Sequence, residues 1–376
     1  MLMGKFSKKK ISFAGPMIGK KEEEYVLDAL RNGWYATFEK HTKMLEAKVC
    51  EYLGRKYALG THCCTLALHL ACASAGLKKG DEVICTDFSW VATAYSIVYT
   101  GATPVFVDID PDTWCISPQA IEAAITEKTK AIMLVHSFGH PAQMDKIMEI
   151  AKKHNLKVIE DAAPSLGSKF DGKKTGTFGD SACFSFQGAK IAVSGEGGIF
   201  VTDDKEMYER AVLLANMGRT NSKKNFWSDF VGYQYTIGNL PASLALAQVE
   251  RIDELVANKR KIFGWYYERL KNVEGIKLIK EKEKCFSNYT YPSALLEEVD
   301  EKKRNFIVGE FAKRNIHSRA AFPRMSTFPA LEARYENPEC KKVEEQGISL
   351  PAAHNLVEED VEFVCDSLLE LLGKKK

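Results

Sequence analysis

The sequence has no apolar run of the ~18–20 residues that a membrane-spanning helix needs. Its first residues are basic, but no apolar segment follows Lys10, so we expect no secretory signal peptide. Neither sign of charge is in excess, since 52 Lys and Arg residues stand against 50 Asp and Glu residues. A basic surplus is what nucleic-acid binding requires. We therefore expect neither a membrane nor a nucleic acid among the partners of this protein.

Metal-binding patterns are also absent. The ten cysteines form no C-x-x-C pair, and the eight histidines follow no zinc-site spacing. His136 and His140 are four residues apart, but Gly139 and Pro141 argue against a helix that would bring them together on one metal. In a long chain without an export signal, thiols are expected to be reduced. The sequence therefore predicts a cytoplasmic protein without a metal site.

The length of 376 residues is too great for one compact core, since ~150 residues per domain corresponds to two or three units. From Ala58 to Asp204, short apolar runs alternate with helical patterns, which predicts a mostly parallel sheet flanked by helices. The predicted strands are Glu82–Thr86, Thr103–Asp108, Ala131–Val135, Lys157–Glu160, Ala182–Phe186 and Gly198–Thr202. The predicted helices are Thr65–Ala75, Pro118–Glu127 and Ala142–His154.

A different pattern begins near Pro241. Apolar residues at helical spacing predict one long helix from Val249 to Leu270. Beyond it we expect a smaller α+β unit with a strand near Ser287–Leu296 and two helices. Those helices are predicted at Lys302–Arg314 and Glu359–Leu372. The sequence thus predicts a large domain of residues 1–255 and a small C-terminal domain of residues 256–376.

Reactive side chains follow several of the predicted strands. In open parallel sheets, ligands bind at the carboxyl ends of the strands, which is where Thr65, Trp90, Asp161, Ser185 and Lys190 are expected. Each has an ordinary structural interpretation: a helix cap for Thr65, core packing for Trp90, a turn cap for Asp161 and a surface charge for Lys190. Their occurrence at one edge of the sheet favours a shared site instead.

Together these side chains have the chemistry that pyridoxal phosphate (PLP) requires. A lysine amine can condense with the cofactor's aldehyde, and a carboxylate can keep its ring nitrogen protonated. The start of the helix at Cys64 and Thr65, with the hydroxyl of Ser185, can hold a phosphate. Trp90 can stack on a flat ring.

Longer motifs carry a family resemblance over nearly the whole chain. They include Gly101-Ala-Thr-Pro-Val-Phe-Val-Asp-Ile-Asp110, Val158-Ile-Glu-Asp161-Ala-Ala, and Gly176-Thr-Phe-Gly-Asp-Ser-Ala-Cys-Phe-Ser-Phe186. Lys190 then precedes Ser194-Gly-Glu-Gly-Gly198. In this combination the sequence resembles the DegT/StrS family of PLP-dependent sugar aminotransferases. The resemblance implies the aspartate-aminotransferase fold, which is the PLP-dependent transferase fold type I.

The resemblance also implies roles for individual residues. Lys190 would carry the cofactor's aldehyde carbon, Asp161 would contact the ring nitrogen and Trp90 would stack on the ring. Phosphate contacts would come from Thr65, Cys64, Ser185 and the backbone N–H of Leu66. Family members are typically homodimers with shared active sites, and Gln234 lies in the segment by which the partner subunit would contact the phosphate. In that segment, Thr236 replaces the family's arginine.

Substrate-binding positions follow from the same resemblance: Arg319, Ser326, Trp34 and Tyr35. Ser326 replaces a histidine of many sugar 4-aminotransferases. Pro164 replaces a Gln or His that contacts the cofactor, so that either Ser165 or a water takes this role or the contact is absent. The implied reaction moves the amino group of L-glutamate to a nucleotide-linked keto sugar, a 4-keto-6-deoxy sugar being favoured, through the pyridoxamine form (PMP).

Three alternatives remain open at this point. One is a PLP- or PMP-dependent sugar dehydratase, although such relatives carry histidine where this chain has Lys190. A second is an aminotransferase for a carbocycle such as a keto-inositol. The third is a regulator that binds the cofactor without turnover.

Overall fold

The structure is a computed structural model that describes residues 9–220, 224 and 227–374. Strands and helices alternate along much of the chain. The strands are β1 (Tyr57–Thr61), β2 (Glu82–Thr86), β3 (Thr103–Val107), β4 (Thr129–Val135), β5 (Lys157–Asp161), β6 (Lys169–Phe170), β7 (Lys173–Lys174), β8 (Ser181–Ser185), β9 (Gly198–Thr202), β10 (Ile276–Leu278), β11 (Cys285–Phe286), β12 (Ser293–Leu296), β13 (Arg319–Ala320) and β14 (Gly347–Ser349). The helices are α1 (Lys20–Asn32), α2 (Lys40–Leu53), α3 (Cys64–Ser74), α4 (Ala92–Val98), α5 (Pro118–Ala123), α6 (Met144–His154), α7 (Lys205–Ala215), α8 (Asn239–Val249), α9 (Ile252–Leu270), α10 (Glu301–Lys313), α11 (Pro338–Gln346) and α12 (Glu358–Leu372).

A seven-stranded sheet forms the centre of the protein, in the order β1-β9-β8-β5-β4-β2-β3. The pairs from β8 through β5, β4 and β2 to β3 are parallel, whereas β9 is antiparallel to both of its neighbours. The strands of this sheet are almost entirely buried because helices cover both of its faces, as expected of a parallel sheet. The predicted fold class, a mostly parallel sheet flanked by helices, is therefore confirmed.

The six predicted strands of the central sheet are all present, with ends that differ by two residues at most. Their Val-, Ile- and Phe-rich runs identified them correctly. The sequence prediction missed β1, whose segment Tyr-Ala-Leu-Gly-Thr includes a glycine and has little β-branched character. The Cβ of any other residue at Gly60 would lie 2.6 Å from the Ile237 side chain, so this glycine permits close packing.

Two predicted helices differ from the structure. The helix predicted over Pro118–Glu127 ends at Ala123, because Thr126 and Thr129 hydrogen-bond to each other in a turn that leads into β4. The long helix predicted from Val249 to Leu270 is divided at Glu250 and Arg251. At this corner, Glu250 accepts from Lys21 and Arg251 pairs with Glu22, so both charges contact α1.

A second sheet, in the order β10-β12-β14-β13, is antiparallel and packs with α9, α10 and α12 around its own apolar core. Ile11 belongs to that core, and it bridges to Ile316. The predicted domain boundary at residue 255 falls inside α9 and stays a prediction. A small three-stranded sheet of β11, β6 and β7 completes the strands given above.

A buried carboxylate at the end of β5 fixes the loop that leads into β8. Glu160 accepts hydrogen bonds from the N–H groups of Gly176, Phe178 and Gly179, at 2.6 to 2.8 Å. The fourth donor is His136, whose Nε2 lies 3.0 Å away. Since His136 Nδ1 accepts from a backbone N–H, the proton is on Nε2. These bonds hold the pKa of Glu160 below its ordinary value despite complete burial.

Arg55 binds the carbonyl groups of the same loop. Its Nε donates to the Gly176 oxygen at 2.9 Å, and its Nη2 donates to the Gly179 oxygen at 2.7 Å. The buried Glu160 carboxylate thus binds N–H groups of this loop, and the buried Arg55 guanidinium binds its C=O groups. This arrangement sets the start of β8 and hence the position of the residues at its far end.

No helix in the ranges described above is both long and apolar enough to cross a membrane. Across those same ranges, no cluster of three or more His, Cys, Asp or Glu side chains is placed to hold a metal ion.

We expect Glu160→Gln to lower the free energy of unfolding by about 3 kcal/mol at neutral pH, because the amide cannot satisfy three N–H donors and His136. A carboxylate with a lowered pKa stabilises the fold above its unfolded pKa and loses that effect as the pH falls. The difference in unfolding free energy between the variant and the wild type should therefore become smaller as the pH falls below the ordinary pKa of glutamate. Denaturant unfolding between neutral and acid pH measures it.

The matched control is Glu149→Gln, which removes an exposed carboxylate that pairs with Lys146. Its stability should stay close to that of the wild type. An equal deficit in both variants, or a Glu160 deficit that does not change with pH, would contradict the role assigned to the buried network.

Candidate active site

A cavity of about 500 Å³ lies where the parallel strands of the central sheet end. Val135, Asp161 and Ser185, the last residues of β4, β5 and β8, line it. This is the position in which open parallel sheets bind ligands. The predicted site residues that line the cavity are Cys64, Thr65, Trp90, Asp161, Ser185, Lys190 and Arg319.

Asp161 is the buried acidic group of the cavity lining, with 4% of its surface exposed, whereas Glu196, the other acidic residue of the lining, is exposed. Thr93 Oγ1 donates to its Oδ2 at 2.7 Å, and the Ala163 N–H donates to its Oδ1 at 3.2 Å. Because the Thr93 proton is used on Asp161, Ser89 is the donor in its 2.9 Å bond with Thr93. Burial raises the pKa of Asp161, against the opposing effect of these bonds and of Lys190. A cation bound beside it would favour its charged form.

The N-terminus of α3 lies at one end of the cavity. The N–H groups of Cys64 and Thr65, in the first turn, have no acceptor within their own helix. Leu66, which was predicted to contact a phosphate through its N–H, lies just outside the cavity lining, and its N–H donates to the Cys63 oxygen at 3.2 Å. The free N–H groups and the helix dipole favour a phosphate at this end.

Gly198 allows α3 to approach the sheet this closely. A Cβ at this position would lie 2.5 Å from the backbone of Cys63 and Cys64, so any other residue would push the helix away. Gly198 is also the pairing partner of Ser185, which places the Ser185 hydroxyl near the start of α3. That hydroxyl accepts a 3.3 Å bond from the Gln187 N–H, and its own proton remains for a ligand.

Lys190 enters the cavity from the loop between β8 and β9. Lys190 is half-buried, and its Nζ lies 5.8 Å from the centre of the Tyr291 ring. Its charge also acts on the carboxyl of Asp161. The cavity therefore brings together a lysine amine, a buried carboxylate and a helix N-terminus.

Stacked side chains connect this region to Arg319. The rings of Tyr291 and Phe13 are stacked with their centres 5.0 Å apart. The Arg319 guanidinium lies 4.4 Å from the centre of the Phe13 ring. A guanidinium at this distance from a ring centre makes a cation–π contact and keeps its N–H groups for a planar anion.

Trp90 is 63% exposed, and its ring centre lies 6.2 Å from that of Phe322. The large exposed face of this indole is thus available for stacking.

Pro164 lines the cavity with its fixed ring, and its carbonyl accepts from Asn288 and Thr290. Ser165, which the sequence suggested as its replacement in contacting a cofactor, is buried outside the lining, and its hydroxyl donates to the Ala162 carbonyl.

Four other predicted residues lie outside the lining of this cavity. Ser326 is buried, and both its N–H and its hydroxyl bind the carboxylate of Asp87 at 2.7 Å. Trp34 and Tyr35 are 53% and 95% exposed at the short 3-10 turn that follows α1. Gln234 is exposed and contacts Thr236 at 3.3 Å. Their roles in binding stay predictions.

Several lining residues were not predicted from the sequence. The sequence position of Thr93 could have predicted its place in the lining, because Thr93 follows Trp90 by three residues at the beginning of α4. Phe13 and Tyr291 offered no such signal, because they come from the N-terminal segment and from the region of the second sheet. Only the fold brings them beside Lys190.

The chain matches the model of the DegT/DnrJ/EryC1/StrS aminotransferase family over residues 16–369. A GDP-perosamine synthase from Escherichia coli O157:H7 is 37% identical over 361 residues, covering 96% of this chain and 98% of that protein. One from Caulobacter vibrioides is 35% identical over 368 residues, covering 96% and 98%. A protein from Streptoalloteichus tenebrarius is 38% identical over 250 residues, covering 65% of this chain and 60% of that protein. Its name is that of an L-glutamine:3-amino-2,3-dideoxy-scyllo-inosose aminotransferase.

Solved structures agree with these relatives. The PLP form of Spr1654 from Streptococcus pneumoniae has a TM-score of 0.91 at 28% identity, covering 96% of this chain and 98% of that one. Helicobacter pylori PseC, an aminotransferase in the biosynthesis of pseudoaminic acid, has a TM-score of 0.90 at 26% identity, covering 97% and 100%. The resemblance inferred from the motifs is confirmed, and this chain belongs to the DegT/DnrJ/EryC1/StrS family of PLP-dependent aminotransferases.

Proposed function

We propose that this protein transfers the amino group of L-glutamate to a nucleotide-linked keto sugar, with a 4-keto-6-deoxy sugar favoured. The observation that carries the proposal is the placement of Lys190, Asp161 and the N-terminus of α3 around one cavity. The names of the GDP-perosamine synthases support an amino-sugar product. The product would serve the biosynthesis of a polysaccharide or another glycan.

The cavity has the donor set that PLP requires. A buried carboxylate suits its ring nitrogen, an amine suits its aldehyde and the start of α3 suits its phosphate. When bound, PLP supplies an aldehyde that accepts an amino group and a ring that withdraws electrons from the attached carbon.

The protein's residues would divide the remaining work. Asp161 would hold a proton on the ring nitrogen, an arrangement that also keeps its own carboxylate charged in a buried place. Lys190 would move a proton at the reacting carbon in both halves of a ping-pong reaction. Thr65, Cys64, Ser185 and Leu66 would bind the phosphate, and Trp90 would stack on the ring.

Arg319 is the proposed anchor for the anionic part of the substrates. Its guanidinium lies on Phe13 at the cavity, where it can bind a carboxylate or a diphosphate with two parallel bonds.

We also propose a homodimer with shared active sites, working in the cytoplasm. The exposed positions of Trp34, Tyr35 and Gln234 support the dimer, since they would then complete the partner's site. The ten free cysteines are consistent with a reducing compartment.

A carbocyclic ketone is the second candidate substrate. The Streptoalloteichus tenebrarius relative, whose name specifies an inosose, favours it. The dehydratase alternative has less support, since Lys190 is present.

A substrate panel tests the proposal. The purified protein, loaded with PLP and supplied with glutamate, is offered GDP-linked and other nucleotide-linked keto sugars and a keto-inositol. We expect an amino sugar and 2-oxoglutarate in equal amounts by mass spectrometry. Amination of the keto-inositol alone would replace the sugar proposal, and loss of water without a gain of nitrogen would indicate a dehydratase.

We expect Lys190→Ala to lower kcat by at least ~10³-fold, because the variant loses both the attachment and the proton carrier. The visible absorbance of the lysine-bound cofactor should disappear while the far-ultraviolet circular dichroism stays unchanged. The control Lys173→Ala removes an exposed lysine of β7 and should retain full turnover. Native turnover by the Lys190 variant would refute its proposed role.

Asp161→Asn should lower kcat by ~10²-fold or more, because the ring nitrogen loses its charge partner. The cofactor-free variant should be at least as stable as the wild type at neutral pH. The reason is that the pKa of Asp161 is raised in the folded state, so its charged form destabilises the fold. This destabilisation disappears when the pH falls below the ordinary pKa of aspartate. Steady-state kinetics and thermal unfolding against pH measure both effects. Near-native kcat, or a large loss of stability, would contradict this account.

A further inference from the structure

The loop that carries Lys190 has no regular secondary structure. It runs from the end of β8 at Ser185 to the start of β9 at Gly198. Within the loop, the Lys190 N–H donates to the Gln187 oxygen at 2.8 Å, and the Gly188 N–H donates to the Gly195 oxygen at 2.9 Å. These bonds shape a turn, but they leave the carbonyl groups on either side of Lys190 to other partners.

Side chains from the second half of the chain bind both of those carbonyls. The Tyr291 hydroxyl donates to the Ala189 oxygen at 2.9 Å. His354 Nε2 lies 3.2 Å from the Ile191 oxygen. The carbonyl groups of the residues before and after Lys190 are therefore each held from outside the loop.

A third residue fixes the protonation of His354. Asn258 Nδ2 lies 3.1 Å from His354 Nδ1 and donates to the His354 carbonyl at 2.8 Å, so the amide orientation is set and Nδ1 is the acceptor. Nε2 must then carry the proton and donate to Ile191. Burial, the largest cause, lowers the pKa of His354 to about 3, in agreement with a neutral ring.

We infer that His354 is a positioning residue for Lys190, acting through the Ile191 carbonyl with its tautomer fixed by Asn258. This inference rests on the proposed function, in which the Lys190 amine must return to one place in each half-reaction. His354 lies outside the cavity lining and is 5% exposed, so it acts on the loop and not on the substrates. A small displacement of a reacting group is enough to cost a large factor in rate.

The test compares His354→Phe, which keeps a ring but removes the donor, with His354→Gln, which keeps an N–H at a similar distance. For His354→Phe we expect kcat to fall about 10- to 100-fold with KM for both substrates changed less than about threefold. His354→Gln should recover most of the loss. Asn258→Leu, which frees the tautomer, should reduce kcat in the same direction.

A second readout does not depend on turnover. In the cofactor-free protein, hydrogen exchange of the amides in residues 187–197 should be faster in His354→Phe than in the wild type and should return toward native values in His354→Gln. The matched control is Thr202→Val, which removes a buried hydroxyl that donates to the Asp180 carbonyl at the other end of β9. The control should change neither kcat nor exchange in the loop.

The outcomes separate this inference from the proposed function. Native kcat and native exchange in His354→Phe, while Lys190→Ala is inactive, would overturn the positioning role alone. A fall in kcat without faster exchange, or an equal fall in Thr202→Val, would also overturn it. Native turnover in Lys190→Ala would instead refute the proposed function.

Discussion

Two adjacent carboxylates at the end of β5, in opposite environments, determine the geometry of the site. Glu160 and Asp161 point to opposite faces of the sheet because successive strand residues alternate. Glu160 receives four donors, which satisfy its charge and fix the loop before β8. Asp161 receives two and faces the cavity. One carboxylate is thus used to hold the structure, and the other is left with capacity for a ligand.

The remaining parts of the site depend on how α3 and the Lys190 loop are placed on this sheet. Gly198 lets the start of α3 touch β9, next to Ser185 at the end of β8. The same two strands bound the loop of Lys190. The proposed phosphate end and the amine of the cavity therefore share a single structural support, and the second half of the chain holds the loop at two carbonyls.

Local sequence patterns predicted much of this arrangement. Six of the seven strands of the central sheet were found because their buried runs are rich in Val, Ile and Phe. The predicted start of α5 at Pro118 also agrees with the structure, in which Ser117 caps the helix. The cavity residues that directly follow strands were predicted for the same reason. The contacts of Phe13, Tyr291 and His354 were not, since each is far in sequence from Lys190 and carries no local signal. The contact of Ser326 with Asp87 was not predicted either, since the two residues are far apart in sequence, and the role of Ser326 in substrate binding stays a prediction.

Phe13 lies between Arg319 and Tyr291, with a cation–π contact to the first and a stacked ring on the second, and so makes the N-terminal segment a part of the cavity wall. The Phe13 carbonyl also accepts from the Ala352 N–H at 2.8 Å, two residues before His354. A protease that removed the N-terminal segment up to and including Phe13 would consequently remove a wall of the pocket while leaving the central sheet whole. Such a clipped protein would look well folded in a purity check and still be defective in holding its substrates.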